Sequence, residues 1–271
     1  MAVGTDVSDA TTRAGNGKKA PTSAAVHPGP GFRIREDFPR LPDETVRAFR
    51  EFTTTDISDL LNRLYAVDSE IRYLSGPDET ISGLACTVRA YPGDNLMVHK
   101  SLDIAKPGDI VVVTANGAKS YAVLGDMISR KAKHRGIGGY VVDGLVRDLP
   151  DIQELGMPVY ARGTTPVGPL HRGPGEINYP IACGGVVVNP GDIVVADRAG
   201  VVIVPQGFAD ELLLRLRRYV DGNAEYLEAV RRGEFSNEWV DKQLRESNCP
   251  IEPGVDPGVA AIAAPDAAVP E

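Results

Sequence analysis

Several short, continuous apolar runs constrain this chain more than any other feature. Asp109-Ile-Val-Val-Val-Thr114, Tyr140-Val-Val142, Ile193 to Ala196 and Val201 to Val204 show no alternation of apolar and polar residues. A membrane helix takes roughly 18 or more apolar residues, so these runs are too short to span a bilayer. They read instead as strands buried on both faces. The last two flank Asp197-Arg-Ala-Gly200, which suits a hairpin connection. Gly83 to Tyr91 reads as a further strand.

Helical patterns lie between the runs. Ile57, Leu60, Leu61 and Leu64 recur at helical spacing, after Thr54, Thr55 and Asp56 as candidate caps. Asn95 to Ala105 is predicted helical, as is Tyr121 to Arg135, which Gly136 would end. Phe208 to Arg232 reads as a long charged helix and Asn237 to Glu246 as a shorter one. Asp143-Gly144 reads as a turn. Pro-Gly-Asp recurs from Pro92, Pro107 and Pro190, and Pro followed by Gly suits the centre of a type II turn. The pattern is mixed α/β, with more strand than a doubly wound fold needs. Gly136-Ile-Gly-Gly139 follows a helix and precedes a strand, the wrong order for a dinucleotide fingerprint.

Composition sets the limits of the folded part. Residues 1–31 and 250–271 are rich in Ala, Gly and Pro, and cannot bury enough apolar surface to offset ordering entropy. Both are expected to be flexible tails around one domain, residues 32–249. The net charge of −8, without a Lys/Arg stripe, argues against nucleic acid as a partner. No secretory apolar segment is visible near Met1, and Cys86, Cys183 and Cys249 are too few and too scattered for a disulfide framework. A soluble, cytoplasmic protein without a membrane partner is expected.

The chemistry concentrates between Gly125 and Asp148. Gly125-Asp126-Met127-Ile128 lies near the start of a helical run. Free N–H groups there would favour a carboxylate or phosphate. Further on, an apolar strand leads to Arg147-Asp148. Arginine offers a planar fork to a carboxylate or enolate oxygen, and aspartate a hard oxygen ligand to Mg²⁺ or Mn²⁺. Together they suggest a site for a small keto acid.

The whole run resembles the RraA-like family, which includes the class II 4-hydroxy-4-methyl-2-oxoglutarate/4-carboxy-4-hydroxy-2-oxoadipate aldolases and the RraA regulators of ribonuclease E. Gly125-Asp126, Ala132-Lys-His-Arg-Gly136-Ile-Gly-Gly139 and Val141-Val-Asp-Gly144-Leu-Val-Arg147-Asp148 carry the likeness, flanked by Pro158-Val-Tyr-Ala-Arg162 and Gly184 to Asp192. It covers roughly Thr55 to Arg232. The resemblance implies an α/β fold: a β/β/α single domain with a central mixed sheet and flanking helices, assembling as a homotrimer or homohexamer. It implies that Gly125, Asp126, Met127 and Ile128 bind substrate, with backbone amides on the keto acid, and that Arg147 contacts the keto oxygen. It implies that Asp148 holds a divalent metal (Mg²⁺ foremost, Mn²⁺ or Co²⁺ otherwise), that Asp126 positions a catalytic water, and that Asn95 lines the pocket. The implied reaction is metal-dependent cleavage of a 4-hydroxy-2-oxo acid to pyruvate, with oxaloacetate decarboxylation as a companion.

Other readings stay open at this level. A ribonuclease-binding regulator shares the framework, and a related lyase could take another substrate. A Schiff-base aldolase needs a desolvated lysine, whereas Lys100, Lys119, Lys131 and Lys133 read as solvated. Of the histidines, only His99, one turn after Asn95, is expected near the pocket; His171 falls in a Pro/Gly loop. Glu225 and Glu228, on the long C-terminal helix, read as solvated residues.

Overall fold

The computed structural model describes residues 21–251 and 254. Most of the two expected tails lies outside the described residues. The described chain forms two compact units, one ending at Arg218 and one starting at Tyr219.

The first unit opens with β1 (Phe32–Ile34), α1 (Asp43–Ala48), α2 (Thr54–Leu60) and β2 (Arg72–Ser75). It continues through β3 (Ile81–Ala90), α3 (Leu96–Ile104), β4 (Ile110–Thr114), β5 (Ala122–Leu124), α4 (Asp126–His134), β6 (Gly139–Val146), α5 (Leu149–Leu155) and β7 (Val159–Thr164). Five short strands follow: β8 (Gly175–Ile177), β9 (Ile181–Cys183), β10 (Val186–Val188), β11 (Ile193–Asp197) and β12 (Gly200–Val204). Helix α6 (Ala209–Arg231) begins in this unit, and α7 (Glu238–Glu246) belongs to the second.

The centre of the sheet is parallel: β3, β4, β6 and β7 run side by side, with β5 beside β6. Helices α3, α4 and α5 make the crossovers that parallel strands require. Antiparallel strands extend the sheet, with β2 on β7, β8 and β11 on β3, and β12 on β11. Strand β1 adds in parallel to β8, while β9 and β10 form their own ladder. This is the mixed sheet with flanking helices expected from the resemblance.

The lack of alternation in the central strands has a direct cause. Val111 and Val113 of β4 pack with Val98, Leu102, Ile128 and Ala132 of the helices. Ile110 and Val112 point to the opposite face, onto Val188, Val194 and Ile203. Successive side chains still alternate between faces, but both faces are covered, so every position is apolar.

Three local expectations need correction. Tyr121 to Arg135 is not one helix. Ala122-Val-Leu124 is fully buried and pairs with β6, and extended Gly125 (φ −148°, ψ −172°) separates it from α4. Asp143-Gly144 is not a turn but lies inside β6, where the register against β7 shifts between Val142 and Leu145. That irregularity lets Asp143 stay in a strand, where its carboxylate accepts from Arg162 Nε (2.5 Å) and from the Gly184 N–H (3.0 Å). Helix α2 stops before Leu64 because Asn62 and Arg63 take positive φ. Its cap is Thr53, whose hydroxyl accepts from the Asp56 N–H at 3.1 Å.

The three Pro-Gly-Asp units are turns of one kind. Gly93, Gly108 and Gly191 all have φ between 82° and 89°, the left-handed value that a type II turn demands. In each, the Asp N–H donates back to the residue before the proline, at 2.9–3.1 Å. Each Asp is also buried and ties the turn to a distant segment. Asp94 accepts from the Arg172 N–H, Asp109 from the Arg40 guanidinium, and Asp192 from the Gln206 N–H.

Candidate active site

A cleft of about 110 Å³ opens at the carboxyl ends of β5 and β6. Parallel α/β sheets place ligands at such strand ends, because the loops there can diverge without disturbing the ladder. Asn95, Gly125, Asp126, Met127, Ile128 and Arg147 all line it, so the fold gathers these six sequence candidates at one place. The Asp148 carboxylate lies at its edge, 3.3 Å from Arg147 Nε.

The N-terminus of α4 forms one wall. The N–H groups of its first turn have no acceptor inside the helix, and the helix dipole adds partial positive charge. The Asp126 N–H meets Asp148 Oδ2 at 3.4 Å, and Met127 and Ile128 of the same turn line the cleft. Behind the wall, the Ile128 side chain is buried in the core and Ser129 Oγ donates to the Gly125 carbonyl at 2.9 Å, which fixes this turn.

Arg147 crosses the cleft between two glycines. A Cβ on Gly168 would stand 2.5 Å from Arg147 Nη1, and one on Gly125 would stand 3.1 Å from Arg147 Nε and 2.7 Å from Asp148 Oδ2. Gly125 has ordinary extended backbone, so contact alone, not backbone strain, excludes a side chain there. Asp148 does adopt a left-handed conformation (φ 56°, ψ 38°) at the N-cap of α5. That conformation turns the chain sharply after β6 and holds its carboxylate beside Arg147. Gly125→Ala should therefore weaken binding of a small carboxylate at the cleft on the order of 100-fold by displacing both side chains. Calorimetric titration with pyruvate checks this, and a thermal unfolding midpoint near the parent's would confine the effect to the cleft.

The third wall comes from a loop whose part the sequence did not reveal. Pro169 and His171 line the cleft, and His171 Nδ1 lies 2.6 Å from Asn95 Oδ1. Asn95 is buried, and its amide donates to the Val123 carbonyl at 3.3 Å. The loop is seated by the first Pro-Gly-Asp turn: the Leu170 N–H donates to Gly93 (2.7 Å) and the Asn95 N–H to Leu170 (3.0 Å). The usable signal was the turn at Pro92, but nothing local ties it to a loop some 75 residues later. His99 does line the cleft as expected, with its ring edge-on to His171 at 5.5 Å. Burial, then the neighbouring His171 and Lys131, push its pKa down, which favours the neutral imidazole.

Charge is balanced around the cleft. Arg130 pairs with Asp126 (3.4 Å) and with Asp151 (3.4 Å). The buried thiols of Cys86 and Cys183 are pushed up to about 12 by desolvation, which makes them poor nucleophiles. Lys100 pairs with Asp103, Lys133 donates to the Leu155 carbonyl, and Lys119 and Lys131 are exposed. None of the four has the desolvated setting of a Schiff-base lysine.

Among the described residues there is no cluster of three or more His, Cys, Asp or Glu arranged around a metal. Two carboxylates stand here: Asp148 at the edge of the cleft beside Arg147, and Asp126 in its lining, paired with Arg130. That set fits Mg²⁺, which keeps several of its waters and takes one or two carboxylates. Among the described residues no helix is long and apolar enough to cross a membrane.

The RraA-like family model, described as Aldolase/RraA, matches residues 54–203. A protein of Halalkalibacterium halodurans, provisionally named 4-hydroxy-4-methyl-2-oxoglutarate aldolase, is 40% identical over 173 residues, 64% of this chain and 82% of its own. The solved structure of Streptomyces coelicolor RraAS2, described as an unusual member of the RNase ES inhibitor RraA family, is 31% identical with a TM-score of 0.64, covering 70% of this chain and 98% of its own. The RNA-processing inhibitor RraA of Thermus thermophilis is 32% identical with a TM-score of 0.53, covering 57% and 93%.

Proposed function

The chain belongs to the RraA-like family, and from that premise we propose that it is a carbon–carbon lyase that cleaves a 4-hydroxy-2-oxo acid to pyruvate. The observation that carries this reading is Arg147, held between Gly125 and Gly168 and facing the N-terminus of α4. A guanidinium and a row of free N–H groups opposite each other suit the keto oxygen and carboxylate of one 2-oxo acid.

The substrate carboxylate sits on the N–H groups of Met127 and Ile128, which leaves the C2 oxygen towards Arg147. A water held by Asp126 takes the proton of the C4 hydroxyl. The C3–C4 bond then breaks, C4 becomes a carbonyl, and the bonding pair moves into an enolate whose charge gathers on the C2 oxygen. Arg147 stabilises that oxygen with fixed positive charge that needs no reorganisation. Protonation of C3 completes pyruvate. The same enolate arises when oxaloacetate loses CO₂, so decarboxylation is part of the proposal. Asp148 would hold the divalent cation, which supplies Lewis-acid polarisation of the keto oxygen. A homotrimer or homohexamer also belongs to the proposal, and light scattering tests it.

The decisive assay is pyruvate release from 4-hydroxy-4-methyl-2-oxoglutarate and from oxaloacetate with Mg²⁺. Turnover is expected, and is expected to vanish in EDTA and return with added Mg²⁺. Persistence in EDTA with borohydride trapping would overturn the metal-dependent route. A second reading follows from two solved neighbours, one described as an unusual member of the RNase ES inhibitor RraA family and the other as an RNA-processing inhibitor: a regulator that binds a ribonuclease. Silence across a panel of keto acids, with ribonuclease E binding in a pull-down, would favour it.

A further inference from the structure

We propose, building on the keto-acid reading above, that His171 is the catalytic residue that carries the proton to C3 of the pyruvate enolate, with Asn95 holding its ring for that task. The cleavage frees a proton at the C4 hydroxyl and needs one at C3. Among the side chains lining the cleft, His99, Asp126 and His171 can pass a proton on. Arg147 cannot, since a guanidinium stays charged. Asp126 is paired with Arg130 and serves at C4. Of the two imidazoles, His171 alone has a ring nitrogen held in place among the described residues, with Nδ1 2.6 Å from Asn95 Oδ1.

This contact sets the tautomer. The buried Asn95 amide donates to the Val123 carbonyl at 3.3 Å, which turns its Oδ1 towards His171. The reverse setting of the amide would bring two acceptor oxygens together. An amide oxygen only accepts, so His171 Nδ1 carries the hydrogen of the bond. In the neutral ring Nε2 is then bare and basic. Among the described residues Nε2 has no hydrogen-bond partner, and the residue is exposed at the cleft.

A loop histidine moves protons efficiently only where its backbone is fixed. Both neighbours of His171 are tied down. Leu170 exchanges backbone hydrogen bonds with Gly93 and Asn95, and the Arg172 N–H donates to the buried Asp94 carboxylate. His99 stands edge-on at 5.5 Å, and its lowered pKa favours the neutral ring, so it does not oppose a transient charge on His171. The proton freed at C4 passes through the Asp126 water to Nε2, making an imidazolium whose Nδ1–H stays on Asn95. Nε2–H then gives that proton to C3. The enolate pair forms the new C–H bond, C2–O closes to the carbonyl, and water and ring return to their starting states. No net proton is taken up. When oxaloacetate loses CO₂, the proton relayed to C3 comes from solvent.

The test reads the last step in reverse, where bare Nε2 takes a proton from the methyl group of pyruvate. In D₂O with Mg²⁺ the full chain should exchange those hydrogens for deuterium, as followed by proton NMR. His171→Ala and His171→Gln should slow the exchange about 100-fold. Pyruvate affinity, from calorimetric titration, should change far less, because Arg147 and α4 hold the keto acid. Glutamine keeps a hydrogen-bonding side chain beside Asn95 but carries no proton. Added imidazole should restore exchange to His171→Ala, which a structural role alone would not allow. The position is exposed, so both variants should fold, and circular dichroism verifies this. Exchange at the parent rate in both variants, a parent that binds pyruvate without exchanging it, or equal loss of binding and exchange without imidazole rescue overturns the inference while the keto-acid reading stands. A parent that neither binds pyruvate nor releases it from a 4-hydroxy-2-oxo acid overturns the keto-acid reading, and this inference with it.

Discussion

Replacing Arg147 by alanine should lower kcat for pyruvate release about 10²- to 10³-fold, the typical effect of removing one preorganised donor from a developing oxyanion. The fold should survive. Arg147 lies at the rim, with its side chain 41% exposed, and its backbone N–H keeps the 2.9 Å bond to Leu124 that joins β6 to β5. Circular dichroism and the thermal midpoint should stay close to the parent. Lysine at the same position keeps the charge but loses the planar fork, so Arg147→Lys should recover only part of the loss. Substrate carboxylate binding rests mainly on α4, so kcat should fall more than KM rises. If Arg147→Ala turns over like the parent, the assigned role is wrong.

The largest effect on stability is expected at Asp109. Its carboxylate is 2% exposed and accepts three bonds: two from the Arg40 guanidinium, at 2.9 and 2.6 Å, and one from the Lys106 N–H at 2.8 Å. The Asp109 hydrogen bond, working against burial, raises the pKa of Arg40 and keeps it charged. Asp109→Ala would leave that cation beside an apolar gap and the turn without its anchor. Removing one partner of a buried ion pair costs about 3–5 kcal/mol. Arg40 retains some access to water, with a quarter of its side chain exposed, which favours the lower end, about 3 kcal/mol. Urea unfolding followed by fluorescence should show the midpoint falling with little change in slope. Asp109→Asn can still accept from the Lys106 N–H and should lose less. Equal stability of all three proteins would show that the pair is decorative.

These two residues show how far the sequence could be read. Asp109 was visible as the end of a Pro-Gly-Asp turn, since Pro and Gly encode their own backbone geometry. Its partner Arg40 was not, because nothing within 69 residues of chain specifies a side-chain pair made in space. Arg147 and Asp148 were visible through their order after an apolar strand and through the family resemblance. The glycines that leave room for Arg147 were not, since Gly168 looks like any loop glycine in sequence. His171 was missed for the same reason. Strand β5 reads as part of a helix in sequence because three apolar residues before a helix share its periodicity, and only pairing with β6 separates them.

Local backbone chemistry and apolar periodicity determined the central strands, the helices α3 and α6, and three type II turns. Those depend on a residue and its near neighbours, so the sequence states them directly. The tertiary structure decided where the elements meet. It placed the α4 N-terminus, Arg147, Asp148 and the His171 loop around one cleft. Such a site is made of contacts between segments far apart in the chain. The distances and the burial that give those groups their chemistry arise only once the sheet has brought the segments together.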